Sequence, residues 1–477
     1  VHEHTFDETY IYDGYYHWKA ATCEHDEKGN YGLHNYVEGK CVDCGYIEVS
    51  NEYLFFEAVD EENCRVGGVK EGDEEAVEIT IPYFYENKKV VAILCSAFQN
   101  GFNLTGIDIP NSVTSIGERA FNSCYSLTSI VIPSSVTSIG KDAFTGCHDK
   151  NIYYGGTIEN WCNLLFYNSG SSPMYHASHF YMLDRNNLYQ EVTKIEIPNT
   201  VTKIGDYQFH SFNKITEIII PSSVTSIGKW AFGNCTSLTN VYYKGTIENW
   251  CNIRIDSSNV NGEGPSPMHY ASHFYMLDQN NLYKEVTKIE LPNTITTIGA
   301  YQLDGFNNIT KIIIPSSVTR IGSYAFSDCT SLTSIVIPSS VTRIGSYAFS
   351  NCTNLTNVEI QNNVRSIGNS AFSGCISLTS INIPSSVTSI EWGTFSDCTN
   401  LTNVEIQNGV TSIGKDAFEN CASLTSIVIP SSVTRIDNYA FENCISLTIY
   451  CEADSQPSGW LKDWNPNNCP VVWGYKG

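Results

Sequence analysis

The densest chemistry lies near the start of the chain, in Cys41-Val42-Asp43-Cys44-Gly45. Two thiols in a C-x-x-C-G turn, with Cys23 upstream and several histidines nearby, have the composition of a tetrahedral zinc knuckle. The preferred ligands are Cys23, Cys41 and Cys44. His17 is the leading fourth ligand, with His4, His25 and His34 as rivals. Such a zinc would be structural, because so short a segment cannot bury much core of its own. A Cys41–Cys44 or Cys23–Cys41 disulfide with solvated histidines is the other reading of the same residues.

Other reactive side chains point to less. His176 and His179 recur as His269 and His273 in a second copy of their surroundings, but the spacing changes and only His179 and His273 correspond. A metal site shared by both copies would not tolerate that shift, so these read as loop histidines. The sequence holds no G-x-S-x-G, no H-E-x-x-H and no phosphate-binding glycine loop. No carboxylate pair is flanked in the way a glycosidase needs. An enzyme acting on glycans from within an insert, through Glu159 or Glu248, is the least favoured function, and the expectation is no enzyme.

The elements that carry these residues follow a fixed rhythm. Leu332 to Asn354, LTSIVIPSSVTRIGSYAFSNCTN, is a 23-residue unit. Further copies begin at Leu104, Leu127, Val192, Ile215, Val286, Ile309, Leu355, Leu378, Leu401 and Leu424. A period of this length predicts a solenoid, in which each coil buries its apolar face only by stacking on its neighbours. L-x-x-I-x-I-P reads as a strand ended by proline, as in Leu127, Ile130, Ile132 and Pro133. Val136 and Ile139 form a second apolar pair, and Gly140 lets the chain bend. Ala143 and Phe144 then open a short helical or 3-10 segment ending near Cys147. The fold class is thus a β-rich leucine-rich-repeat solenoid preceded by a small Cys/His-rich module.

Eighteen cysteines suggest a disulfide framework until they are placed on the repeat. Nine share one register: Cys124, Cys147, Cys235, Cys329, Cys352, Cys375, Cys398, Cys421 and Cys444. Phe212 and Phe306 fill that slot elsewhere, so it demands a buried apolar group, and free cysteine serves as one. Cys451 and Cys469 lie off this register and could pair across the C-terminal end.

Four regions result. Residues 1–48 are the Cys/His module, and 49–103 an N-terminal cap with a degenerate first repeat. Residues 104–446 are the array, and 447–477 a C-terminal cap. Two related inserts, 151–191 and 240–285, interrupt the array, each with a T-I-E-N-W-C-N helix start capped by Thr157 or Thr246. In each, H-F-Y-M-L-D and the following N-L-Y read as a hairpin.

The unit IPSSVTSIGxxAFxxCxSLTS resembles the repeats of BspA-like leucine-rich-repeat surface proteins of bacteria and some protists, over roughly residues 80–450. The GTIENWCN inserts are similar to a segment of those proteins. The resemblance implies a right-handed solenoid on an exported, extracellular or cell-surface protein. It also implies adhesion to host matrix or to other microbes, with no shared catalytic motif. The chain starts at Val1 rather than Met, so the expectation of export rests on the resemblance alone.

Net charge is −23 and no basic block occurs, which argues against nucleic acid and anionic lipid as partners. No apolar run is long enough to span a bilayer. A protein or glycan ligand is expected, met either by the outward strand rows or by the aromatic inserts. The first candidate is Asn357 and Glu359, Asn382, and Asn403 and Glu405. The second centres on Trp161 and Trp250, for which structural filling of the wider coil is the favoured reading. A stalk that only displays the N-terminal module is the alternative.

Overall fold

A computed structural model describes residues 53–69, 78–256, 258 and 265–477, together with the strand backbone of residues 11–12, 16–20, 28–33, 36–37 and 40–41. The chain divides into two compact units, residues 1–192 and 193–477.

In the first unit the strands Ile11–Tyr12, Tyr16–Ala20 and Lys28–Leu33 form an antiparallel sheet. Tyr36–Val37 and Lys40–Cys41 pair separately. The expected β-runs of the cap form a hairpin, Leu54–Ala58 against Asn63–Val69. Its acidic turn is closed by Asp60 Oδ1, which accepts from the Glu62 and Asn63 amides at 2.8 and 2.7 Å. The repeats then supply strands alternately to two sheets. The longer rungs are Glu78–Thr80, Gly106–Asp108, Ser129–Ile132, Lys150–Tyr154 and Ala177–Leu183, all parallel. Short rungs such as Ser115–Ile116 and Ser138–Ile139 build the other.

The second unit repeats this plan. Its central sheet stacks Lys288–Glu290, Lys311–Ile313, Ser334–Ile337, Asn357–Ile360, Ser380–Ile383 and Asn403–Ile406. Inside one coil Leu332, Ile335, Ile337, Val341, Ile344, Ala348, Phe349 and Cys352 are all buried. Their phenyl rings form a continuous stack: Phe326, Phe349, Phe372, Phe395, Phe418 and Phe441 lie 5.0–5.6 Å apart in succession. The stack ends on Trp464, set edge-on to Phe441 and Trp460. Large rings that abandon the repeat thus shield the open end of the core.

The Ala-Phe segment is not helical, which corrects the expectation for the regular coils. It is a run of turns. Tyr347 and Asn351 adopt positive φ, at 57° each, and this interrupts any helical run. The amides alternate between partners. Ser350 and Cys352 donate back to Tyr347 and Phe349, while Phe349 and Asn351 donate to Ala371 and Ser373 of the next coil. Bonds along the stack replace bonds along a helix. The tyrosines held at positive φ are braced by their neighbours, with Tyr301, Tyr324 and Tyr347 stacked 4.6 and 4.7 Å apart. Helices among the described residues are confined to the inserts.

The glycine after each Ile also acts differently from the expected bend. A Cβ on Gly140 would come within 2.4 Å of the Glu118 amide nitrogen, and one on Gly345 within 2.4 Å of that of Ser323. Neither has a positive φ, so the requirement is close approach of successive coils.

All nine register cysteines are free and buried. Each thiol donates to the carbonyl of the phenylalanine-slot residue one coil earlier, as Cys352 to Phe326 and Cys375 to Phe349, both at 3.2 Å. Cys451 and Cys469 are free as well, and the Cys469 thiol donates instead to the Cys444 carbonyl at 3.3 Å.

Candidate functional site

The sequence NVEIQN occurs at Asn357 and again at Asn403, on either side of SINIPS. Alternation on these strands turns Val358, Ile360, Ile381, Ile383, Val404 and Ile406 inward. The intervening residues face out. Parallel pairing sets Asn357 beside Ser380, Ser380 beside Asn403, and Asn382 beside Glu405. Asn357, Glu359, Ser380, Asn382, Asn403 and Glu405 therefore line one open groove of about 280 Å³. All five residues singled out on the strand rows meet in it.

Two glutamines that sequence reasoning passed over brace this groove. Gln361 and Gln407 stand where the intervening repeats carry Pro338 and Pro384. Gln361 Oε1 accepts from the Ser339 amide at 3.0 Å, and its amide donates to Glu359 at 3.4 Å. Gln407 Oε1 accepts from the Ser385 amide at 3.1 Å, and its amide donates to Asn382 at 3.1 Å. The readable signal was the Pro-to-Gln change in alternate repeats, which frees a side chain to reach back one coil. The threonines beside the groove are already committed. The hydroxyls of Thr356, Thr379 and Thr402 donate to the carbonyls of Thr333, Thr356 and Thr379.

Neither Glu359 nor Glu405 joins an ion pair among the described residues. The groove thus presents two unneutralised carboxylates and three side-chain amides. Along the same row it is bounded by exposed Val336 and Val428, 46% and 36% accessible. That combination suits a cation between apolar groups.

The candidate binding role of Trp161 and Trp250 is corrected in favour of filling the coil. Trp161 and Trp250 are fully buried. Helix α1, Ile158–Cys162, and helix α2, Ile247–Cys251, start at Thr157 and Thr246 as expected, each with a reciprocal capping box to Asn160 or Asn249. The helices turn their tryptophans into the coil. Trp161 meets Tyr154 and Phe180 edge-on, and Trp250 meets Tyr243 and Phe274. Trp250 Nε1 also donates to the Gln302 carbonyl at 2.9 Å. The widened coil needs large rings to fill it. Glu159 and Glu248 sit in the first turns of these helices.

The insert hairpins form as expected, Ala177–Leu183 with Tyr189–Glu191 and His273–Leu277 with Tyr283–Glu285. His179 and His273 take the same role in both, with Nδ1 2.6 Å from Glu191 and Glu285 respectively. His269 does something different. It lies with Asp304 and Asp328, their ligating atoms all within 4.8 Å of one another.

Of the expected zinc ligands, His17 lies on its strand opposite Tyr12 and Gly32, and Cys41 opposite Tyr36. Cys23, Cys44 and all four side chains lie outside the described residues. No helix among the described residues is long and apolar enough to cross a membrane.

Comparison with known proteins identifies the coils. The profile of the BspA type leucine rich repeat region, in 6 copies, matches residues 78–174, 186–255, 280–390 and 319–448. A comparison with curated proteins gives no match. Among solved structures, a leucine-rich repeat protein from Bacteroides ovatus is 25% identical with a TM-score of 0.48, over 88% of this chain and 92% of that one. A leucine rich cell surface protein from Faecalibacterium prausnitzii is 23% identical with a TM-score of 0.47, over 90% and 98%. A leucine-rich repeat protein from Eubacterium ventriosum is 24% identical with a TM-score of 0.47, over 88% and 98%. With the repeat profile covering most of its length, the chain belongs to the BspA type leucine rich repeat family.

Proposed function

We propose that this is a non-catalytic recognition protein of the cell surface. It binds an extended basic segment of another protein across the strand rows at Asn357, Glu359, Asn382, Asn403 and Glu405. One observation carries this reading: these side chains converge on a single groove holding two carboxylates without ion-pair partners. The family supports a protein-interaction role, since leucine-rich repeats generally serve binding rather than catalysis.

The dimensions suit a peptide. Adjacent rungs are spaced about 4.8 Å apart, so Glu359 and Glu405 stand roughly 10 Å apart along the stack, and Val336 and Val428 roughly 19 Å. At about 3.3 Å per extended residue, that is a span of about six residues. A Lys or Arg at its centre would face the carboxylates, with an apolar residue at each end. Gln361 and Gln407 hold the acceptors in place before a ligand arrives, which lowers the ordering cost of binding.

The test is a parallel screen of the full chain against immobilised hexapeptides and glycans. Peptides with a central Lys or Arg and apolar ends should bind, more weakly as salt rises. Retention by neutral glycans alone, insensitive to salt, would replace this reading with a lectin. No binding to either would favour a stalk.

For the N-terminal module we propose a structural zinc held by His17, Cys23, Cys41 and Cys44.

A further inference from the structure

We propose that His269, Asp304 and Asp328 form a second metal site, for a divalent first-row transition ion such as zinc, which fastens the second insert to the coils that follow it. The three residues come from three segments: the end of the 3-10 turn Pro267–His269, the coil containing Gly305, and the next coil. Their ligating atoms lie within 4.8 Å of one another, and His269 Nδ1 is 3.2 Å from Asp304 Oδ2. Ligand atoms around tetrahedral zinc are separated by about 3.3 Å at bond lengths near 2.0 Å. The pair is already at that spacing, and Asp328 has little distance to close.

The local packing is arranged for this approach. Gly305 sits at φ +74°, and a Cβ there would come within 2.2 Å of the Met268 carbonyl oxygen and 2.7 Å of the His269 Cα. Only a glycine lets the insert backbone come down onto Asp304. Asp304 itself is 1% exposed. A second carboxylate, Asp328, stands beside it. Two adjacent carboxylates, Asp304 buried and Asp328 half-buried, repel unless a positive charge lies between them. Asp328 is oriented by its own partners, the Ser327 hydroxyl at 2.8 Å and the Asn351 amide at 3.0 Å. Such outer contacts are what hold a metal-ligating carboxylate in place.

The chain supplies its own control. The first duplicated block has Tyr175, His210 and Asn234 where the second has His269, Asp304 and Asp328, and Ser211 where the second has Gly305. All four positions differ, so the first block has neither the acids nor the glycine. One imidazole and two carboxylates favour zinc or a neighbouring transition ion over magnesium or calcium. Binding requires the lone pair of His269 Nδ1 and ionised Asp304, so a proton held on Nδ1 must move to Nε2 or to solvent as the metal enters.

The test uses the full chain carrying Cys41→Ser and Cys44→Ser, which removes the proposed N-terminal zinc site. Cobalt(II) is the probe. The expected result is binding of about one equivalent, with visible ligand-field absorption and no thiolate charge-transfer band. His269→Tyr, which installs the residue found in the first block, should abolish that signal, as should Asp304→Asn. Asp328→Asn serves as a third variant should Asp304→Asn disturb folding. Absence of the ligand-field signal in the parent chain would overturn the proposal, as would its survival in His269→Tyr.

Discussion

Consider Cys375, in the middle of the thiol ladder. Its side chain is wholly buried, and its thiol donates to the Phe349 carbonyl at 3.2 Å. That carbonyl also accepts from the Cys352 amide at 3.3 Å, so losing the thiol does not orphan it. In Cys375→Ala the cost is therefore the lost burial of one sulfur plus a cavity of that size, about 1–2 kcal/mol. A weak hydrogen bond adds about 0.5 kcal/mol. The sum of about 2 kcal/mol corresponds to roughly 30-fold in local opening. Cys375→Ser separates packing from hydrogen bonding. The hydroxyl is the stronger donor, but a C–O bond is shorter than a C–S bond, and a hydroxyl left short of its acceptor in an apolar site costs about 1–3 kcal/mol. Serine should thus be no better than alanine. The assay is alkylation of the neighbouring Cys352 and Cys398 under native conditions, read by mass spectrometry. Both should label about 30-fold faster in each variant. A serine variant as protected as the parent would refute the packing argument and make the hydrogen bond the reason for cysteine.

Other outcomes follow from the same structure. Among the described cysteines only Cys95 is exposed, so of these it alone should react with a mild thiol reagent in the native protein. Burial pushes the Cys235 and Cys444 thiols up to about 12 and raises Cys329, Cys352, Cys375, Cys398 and Cys421 well above the usual range. Unfolded thiols lose their protons first, near pH 8.5, so stability is full below that value and falls above it, by up to about 1.4 kcal/mol per thiol per pH unit. Melting curves between pH 7 and 11 should show that fall, and flat Tm values would contradict the buried ladder. Trp250→Ala should cost about 3–5 kcal/mol through the cavity it leaves, yet leave peptide binding at the groove unchanged in a titration. Metal analysis should find about one equivalent of zinc more in the purified chain than in Cys41→Ser. No difference between the two, with thiols unreactive until reduced, would favour a disulfide.

The sequence made the coils legible because their apolar positions recur in phase: Leu, Ile, Ile, Val, Ile, Ala, Phe and Cys all pointed inward as read. It misled at Ala-Phe, where a helix was expected. The deciding bonds run from Phe349 and Asn351 to the next coil, and one repeat read alone does not show them. Trp161 and Trp250 were legible as filling for the widened coil, and their burial agrees with that reading over the alternative of surface anchors. The groove residues were legible from strand alternation. Gln361 and Gln407 were not, because their effect depends on reaching one coil back. His269 has no counterpart in the first block, and its partners, Asp304 and Asp328, lie in later coils, so spacing within the insert does not reveal them.

The groove is tested most directly by replacing Glu359 and Glu405 together with glutamine, which keeps shape and removes charge. Isothermal titration of the full chain with a hexapeptide bearing a central Lys and apolar ends supplies the measurement. Two exposed ion pairs worth about 0.5–1 kcal/mol each should make the double variant roughly tenfold weaker at low salt, with the difference shrinking at high salt. Equal affinity for parent and variant at low salt would contradict recognition through this groove.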